Sequence, residues 1–401
     1  MRVLQINSVA NSGSTGRIAE EIGNVLLANG HESYIAYGRG KAKSNSKLIK
    51  IGWDKDVYLH GAYTLLTDKH GFASKKATKN FIKEVEKIKP DLIALHNLHG
   101  YYLHLPTLFA YINKHKIPVV WTLFDCWAFT GHCTYFDDIN CKKWEIHCEK
   151  CPKHKRYPSS WVDKSFNNFE AKQQLFTSVK KMELITHSQW LGDLVKKSFL
   201  NNYKVHVTPS AINLDLFRPI KSDLRSRHAI GDKKVVLGCA STWSNRKGYR
   251  DFLELSKNLS NDYQIVMIGL NKKELKALPE NIIGLERTES IEELVQWYSL
   301  AHVFVNPTSQ DNFPTTNLEA LACGTPVITY NTGGSPEAVD EHTGFVVEKG
   351  SCPGILGAIG EMETKDYTLL SKACRERAKH LFDKKTRFLD YLNIFQEMIA
   401  N

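Results

Sequence analysis

Short apolar runs alternate with helix-length segments along the whole of this 401-residue chain. Val3–Ile6, Tyr34–Tyr37, Leu92–Leu95, Val119–Thr122 and Leu184–Thr186 are each too short for a helix and read as buried strands. After the first of them a polar, Gly-rich loop opens a helix. There Ile18, Ile22, Val25 and Leu26 recur at helical spacing and Asn29-Gly30 closes the segment. Continuous apolar strands separated by helices predict a parallel sheet covered on both faces. The pattern restarts after Val207-Thr208-Pro209. Val235–Gly238, Ile265–Ile268, Val303–Val305 and Val327–Thr329 read as strands, with helices centred on Phe252–Leu259, Ile291–Leu300 and Leu318–Ala322. One hydrophobic core stops growing at roughly 250–300 residues. The expectation is therefore two doubly wound units in series, joined around Asn213–Asp223, with ligands beyond the carboxyl ends of the strands.

Charge distinguishes the two halves. The net charge is +10, but residues 1–205 carry an excess of twelve positive charges and residues 206–401 an excess of two negative ones. Apolar usage of 42% with 24% charged residues excludes disordered, collagenous and rod-like chains. The start, Met1–Asn7, lacks the apolar stretch of a secretory signal, and no run approaches the roughly 18 apolar residues of a spanning helix. These features predict a cytoplasmic chain, and five scattered cysteines in apolar contexts suit a reducing compartment. Lys75, Lys76, Lys79, Lys83 and Lys87 recur around Phe72, Ile82, Val85 and Ile88 as a basic amphipathic helix. Its basic face is either merely solvated or attracted to anionic lipid. Nucleic acid is less favoured, since no recognition motif accompanies the charge.

The strongest local signal is the string Asp311-Asn312-Phe313-Pro314-Thr315-Thr316-Asn317-Leu318-Glu319-Ala320-Leu321-Ala322-Cys323-Gly324-Thr325-Pro326-Val327. A helix opening after Pro314 offers free amides and a partial positive charge, a natural anion site. Carboxylates beside it can hold sugar or ribose hydroxyls. Arg246 and Lys247 sit between a strand and a helix, where their cations reach phosphate oxygens. In the N-terminal half, Gly13–Arg17 follows a strand and opens a helix without completing a phosphate-loop motif. Leu92–Leu95 ends in a polar, aromatic loop carrying His96, His99, Tyr101 and Tyr102.

The long string resembles the donor-site signature of family 4 retaining glycosyltransferases: Glu, seven residues, Glu, then Ala-hydrophobic-Ala-Cys-Gly-Thr-Pro. The resemblance extends over nearly the whole chain. It takes in Ser188–Leu191 with Asn213–Pro219, the basic loop Ala240–Gly248 and the Gly-Gly loop Asn331–Glu337. It is strongest toward the bacterial surface-polysaccharide, colanic-acid-type sub-group. It implies an α/β fold of GT-B type, two Rossmann-like doubly wound domains facing across a cleft. Residues 1–207 would be the acceptor side, with a Cys-rich insertion near 126–161. Residues 208–380 would bind the nucleotide-sugar, and a helix over 381–401 would cross back to the first domain.

By the same resemblance Asp311, Lys247 and Arg246 would serve the chemistry. Gly16, Asn312, Phe313, Glu319, Gly333 and Gly334 would bind the donor, Glu319 through its ribose. His96, His99 and Asp125 would line the acceptor side. The implied activity is transfer of a sugar, with retention, from a nucleotide-diphosphate-sugar to a glycan or lipid-linked acceptor. No catalytic metal is expected. The enzyme would be peripheral on the inner face of the membrane, and nucleic acid is not an expected partner. Departures exist. Asp311 replaces Glu, Thr242 replaces an Arg, Ser210-Ala211 replaces Asn-Gly, and Phe124 replaces the His of Thr-x-His-Asp, with His132 or His99 as substitutes.

Cys133, Cys141, Cys148 and Cys151 cluster within nineteen positions, with Cys148-Glu149-Lys150-Cys151 as a C-x-x-C pair. One four-thiolate structural zinc is expected ahead of free thiols, with disulfides disfavoured. Two competing functions follow from the same residues: a GT-B nucleotide-sugar epimerase, and a zinc-bearing nucleic-acid or interaction module using the cysteines and the basic half.

Overall fold

The computed structural model describes residues 1–400. Two compact units form. One contains Met1–Thr208 together with the chain from Phe388 onward, and the other contains Pro209–Arg387.

The first unit is built on seven parallel strands: β1 (Arg2–Asn7), β2 (Glu32–Tyr37), β3 (Lys47–Lys50), β4 (Leu92–Leu95), β5 (Val119–Leu123), β6 (Met182–Thr186) and β7 (Lys204–Val207). Their order is β3-β2-β1-β4-β5-β6-β7. The direction of winding reverses between β1 and β4, which are paired in register from Val3↔Leu92 to Ile6↔Leu95. In such sheets the crevice beyond the strand ends at this reversal is where ligands bind. Central strands are apolar on both faces because helices cover both, and every residue of β4 and β5 is buried.

Helix α1 (Gly13–Ala28) buries Ala19, Ile22 and Leu26, as their spacing predicts. Helices α2 (Asp54–Thr67) and α3 (Lys75–Ile88) follow β3. Helix α3 buries Phe81 and Val85 and turns its lysines outward. Phe109, Trp121 and Phe176 meet at 4.8–6.5 Å between centroids behind β5. Truncating one such buried aromatic typically costs about 3–5 kcal/mol. From Phe388 the last helix buries Tyr391, Leu392, Phe395 and Met398.

The second unit has six parallel strands: β8 (Lys234–Cys239), β9 (Tyr263–Ile268), β10 (Ile282–Leu285), β11 (Val303–Asn306), β12 (Val327–Tyr330) and β13 (Gly344–Val347). Their order is β10-β9-β8-β11-β12-β13, with the reversal between β8 and β11. Asn213–Asp223 packs onto this unit. Phe217 is in its core, and Arg375 donates to the carbonyls of Leu214 and Phe217.

Candidate functional site

In the second unit three loops leave the carboxyl ends of the neighbouring strands β8, β11 and β12 and lock together. After β8, Asn245–Lys247 forms a short 3-10 turn ending at Gly248 with φ +83°. A Cβ on Gly248 would lie 2.2 Å from Pro307 Cγ, so only glycine lets this loop pack on the chain leaving β11. The Arg246 carbonyl accepts the Ser309 amide at 2.8 Å, and its guanidinium donates to the Gln310 carbonyl at 2.8 Å. Lys247 Nζ donates to Asp311 Oδ2 at 2.6 Å. The loop after β12 closes on the same place, with Thr332 Oγ1 donating to the Ser309 carbonyl at 3.0 Å.

Gly333, at φ +54°, would drive a Cβ to 1.8 Å from the Asp311 carbonyl oxygen. Gly333→Ala therefore combines a disfavoured backbone with a clash. It is expected to cost roughly 1–3 kcal/mol, read as a lowered urea midpoint with unchanged m. An unaltered midpoint would show that the loop does not rest on Asp311.

The helix Thr315–Ala322 opens after Pro314 with no side-chain cap and no acid in its first turn. One turn in, Glu319 Oε2 accepts the Tyr298 hydroxyl at 2.8 Å, and burial raises the Tyr298 phenol well above its usual range, so it stays a donor. Asn317 was not singled out in the sequence, yet it ties the site together. Its Oδ1 accepts from Asn306 Nδ2 at 2.7 Å, and its Nδ2 donates to Ser335 beyond the Gly-Gly loop. The signal was an amide beside Leu318 in a helix that is otherwise apolar inward. Phe313 turns its ring into the core, 5.9 Å from Phe382. Asn312 is buried beside it.

In the first unit the loops after β1 and β4 are joined by Asn7. Its Nδ2 donates to the Val9 carbonyl at 2.9 Å, and its Oδ1 accepts the Asn97 amide at 3.2 Å. Gly16 lies buried in the first turn of α1, its carbonyl accepting the Asn11 amide at 3.1 Å. Gln5 Nε2 donates to the Ala19 carbonyl, so Gln5 Oε1 accepts from His96 Nε2 at 3.0 Å. This leaves His96 Nδ1 as a bare, buried acceptor without a protein partner. His187 is the converse. Its Nδ1 donates to the Thr208 carbonyl at 2.9 Å, and its Nε2 is bare and buried. Burial lowers the two imidazoles to about 3 and about 4, so both are neutral. They flank Phe124 at 6.1 and 5.2 Å between ring centroids.

His99 Nε2 donates to Asp125 Oδ2 at 2.9 Å while its Nδ1 accepts from the Tyr157 hydroxyl at 2.9 Å. The Trp127 amide donates to Asp125 Oδ1 at 2.9 Å. His96, His99, Phe124 and Asp125 line one small cavity at the ends of β4 and β5. His132 lies elsewhere, buried against Asp68 at 2.5 Å. Of the two imidazoles that stood as substitutes for one at position 124, His99 is the one in this cavity. His187 and Tyr157 went unnoticed in the sequence. Neither lies in a motif, and only the fold brings His187 against Phe124 and Tyr157 against His99.

Residues 15–216 match the family profile described as Glycosyltransferase Family 4, and residues 233–365 match that of Glycosyl transferases group 1. The chain is a family 4 glycosyltransferase. It is 22% identical, over 99% of its length and 100% of the relative's, to the Escherichia coli K12 protein WcaC, whose name places it in glycosyl transfer for colanic acid biosynthesis. A GDP-mannose-dependent monoacylated phosphatidylinositol monomannoside mannosyltransferase of Corynebacterium glutamicum is 27% identical over 44% of this chain and 52% of that one. The fold is that of solved GT-B enzymes. Sucrose-phosphate synthase of Thermosynechococcus elongatus superposes with a TM-score of 0.73 at 16% identity, covering 100% of both chains. Anabaena HepE, solved in complex with UDP, superposes with a TM-score of 0.72 at 14% identity over 99% of this chain and 100% of that one.

The glycosyltransferase departs from expectation at its cysteines. Cys133, Cys141, Cys148 and Cys151 line one small, largely apolar cavity and all are free thiols. Among the described residues, however, no three His, Cys, Asp or Glu side chains form a metal-holding group. The four-thiolate zinc read from the C-x-x-C spacing is not built. Phe136 and Trp144, stacked at 4.9 Å, fill the loop between the two pairs. The Cys133 thiol donates instead to the Cys151 sulfur, which raises the Cys133 pKa and lowers that of Cys151. Family membership also removes the zinc-bearing nucleic-acid module as a reading of the glycosyltransferase.

Proposed function

We propose that this enzyme transfers a sugar, with retention, from a nucleotide-diphosphate-sugar to a glycan or lipid-linked acceptor in bacterial surface-polysaccharide synthesis. The observation that carries the reading is the meeting of Arg246, Lys247 and Asp311 at one strand edge, against the uncapped helix Thr315–Ala322. As the glycosidic bond breaks, negative charge gathers on the departing diphosphate. Fixed cations and helix amides stabilise it without reorganising. In this reading Lys247 and Arg246 serve the diphosphate, Asp311 and the backbone of Gly333 and Gly334 the sugar, and Glu319 the ribose.

The colanic-acid name of WcaC and the UDP complex of HepE support this class of donor and product. Asp125, held by His99 in the small cavity at the ends of β4 and β5, suits the hydroxyl donors of a polyol acceptor. No helix among the described residues is long and apolar enough to cross a membrane. We place the enzyme in the cytoplasm, peripheral on the inner face of the membrane.

Thermal denaturation with UDP, GDP and their sugars tests the donor site. A ligand at 100 times its Kd stabilises by about 2.7 kcal/mol. A raised Tm with at least one diphosphate is expected, and its absence with all of them would overturn the reading. Turnover of that donor without an acceptor, yielding an epimerised sugar, would redirect it to an epimerase. Anomeric NMR of the product checks retention.

A further inference from the structure

Helix α2 is turned inside out. Only His60 and Thr64 of its fourteen residues are buried. His60 is fixed there, its Nδ1 paired with Ser74 Oγ at 2.9 Å and its Nε2 accepting the Gly71 amide at 3.2 Å. The helix therefore cannot rotate its apolar residues inward. Leu59, Tyr63 and Leu66, at i, i+4 and i+7, face outward together, with Leu59 67% exposed and Tyr58 beside it 79% exposed. Trp53 stands at the N-terminal end of the helix, 72% exposed. Trp161, 68% exposed, extends the same face at the other end, where its amide donates to the Leu65 carbonyl at 2.8 Å. Single exposed leucines need no explanation, but a continuous aromatic and aliphatic face does.

Charge around this face identifies its partner. Lys55, Lys69, Lys75, Lys76 and Lys79 are exposed and form no ion pair among the described residues. The neighbouring acids are already engaged. Asp54 pairs with Lys50, Asp56 accepts the Trp53 amide, and Asp68 pairs with His132. The first turns of α2 and α3 adjoin, since a Cβ on Gly52 would touch both Asp56 Oδ2 and Ala77 Cβ within 3 Å. The α3 lysines thus rim the apolar face.

Trp and Tyr on an apolar patch edged by lysines is the composition of an interfacial lipid-binding surface. The rings sit at headgroup depth and each lysine is drawn to anionic lipid. A second copy of the same face would set these lysines against one another. We propose that α2, with the Trp161 loop and the start of α3, inserts shallowly into the headgroup layer of an anionic bilayer. The buried side of α2 leads to the acceptor cavity: the His60 ring lies 6.0 Å from Tyr101, which packs at 4.6 Å on His70 beside His99. Docking would bring a lipid-borne acceptor to that side of the unit.

Sedimentation of the full chain with vesicles of phosphatidylcholine, with or without 30% phosphatidylglycerol (about a third anionic,), tests this without reference to catalysis. Binding to the anionic vesicles that weakens with salt is expected. A variant carrying Tyr58→Ser, Leu59→Ser and Trp161→Ser should lose at least about tenfold in partition, as should Lys75→Glu with Lys76→Glu. Both variants should keep the wild-type Tm shift with nucleoside diphosphate, which separates this surface from the donor site. Wild-type protein remaining in the supernatant overturns the proposal. Undiminished binding by the variants does so too, as does a wild-type dimer that the apolar variant converts to monomer.

Discussion

Lys247→Ala is expected to lower kcat/KM for sugar transfer by about 10²–10³-fold. Two effects act in the same direction. The substitution removes the cation that would face the departing diphosphate. It also strips Asp311 of the ammonium held 2.6 Å away, leaving an unpaired carboxylate where negative charge must gather. The protein itself should barely notice, because a partly exposed ion pair contributes only about 0–1 kcal/mol. Tm should thus stay close to wild type while turnover collapses. Lys247→Arg keeps the charge but substitutes a planar fork for a point charge in a space set by Gly248 and Pro307, so it should rescue only in part. Asp311→Asn keeps the shape and removes the opposing charge. Its loss should appear with the sugar and less with free nucleoside diphosphate. A Lys247→Ala enzyme within threefold of wild type would remove the cation from the mechanism.

The site in the second unit was legible because its residues lie in three continuous strings, each attached to a strand end that apolar runs had already located. Central strands are covered on both faces, so they are mostly apolar and stand out. The four strands that went unread, β3, β7, β10 and β13, are the four sheet edges. There one side meets solvent, and sequences such as Lys47-Leu48-Ile49-Lys50 and Lys204-Val205-His206-Val207 read as loop.

The small cavity at the ends of β4 and β5 was half legible. His96, His99 and Asp125 follow strand ends, but the relay from Tyr157 through His99 to Asp125 spans residues 26 and 58 positions apart. Which imidazole nitrogen is bare depends on partners such as Gln5 and Thr208 that no motif marks. Helix α2 was not read in the sequence at all. Apolar periodicity reports a face, not the side on which that face lies, and His60 decides it by bonding inward. For the cysteines, spacing brought four thiols to one cavity but did not fix where each sulfur points.

The buried imidazoles of the first unit should make it sensitive to acid. Burial lowers His60 to about 4, His96 to about 3 and His187 to about 4, and it holds His70 well below its ordinary value. In the unfolded chain each takes up a proton near pH 6.5. The sign follows directly. Below pH 6.5 the unfolded state binds protons that the folded state refuses, so the stability present above that pH is lost as pH falls toward the lowered values. His132 acts in reverse. Burial opposes its charge, but the hydrogen bond to Asp68 prevails and raises it, so its contribution is complete below pH 6.5 and fades as pH rises through its raised pKa.

His31 and His104 are lowered in the same direction, and His132, already complete below pH 6.5, does not offset them, which leaves a net loss in acid. One pKa unit is worth about 1.4 kcal/mol, so the loss by pH 4.5 is several kcal/mol, a large part of a typical 5–15 kcal/mol. Tm should fall steeply between pH 6.5 and pH 4.5, before carboxylates such as Asp138 and Asp340, whose pKa values are lowered, begin to titrate. His187→Asn should flatten the profile in this window, whereas His132→Asn should lower Tm there without changing the slope. A flat Tm across that window would mean that the imidazoles are solvated or paired when protonated. His96 and His187 would then not be the neutral, buried rings that their surroundings make them.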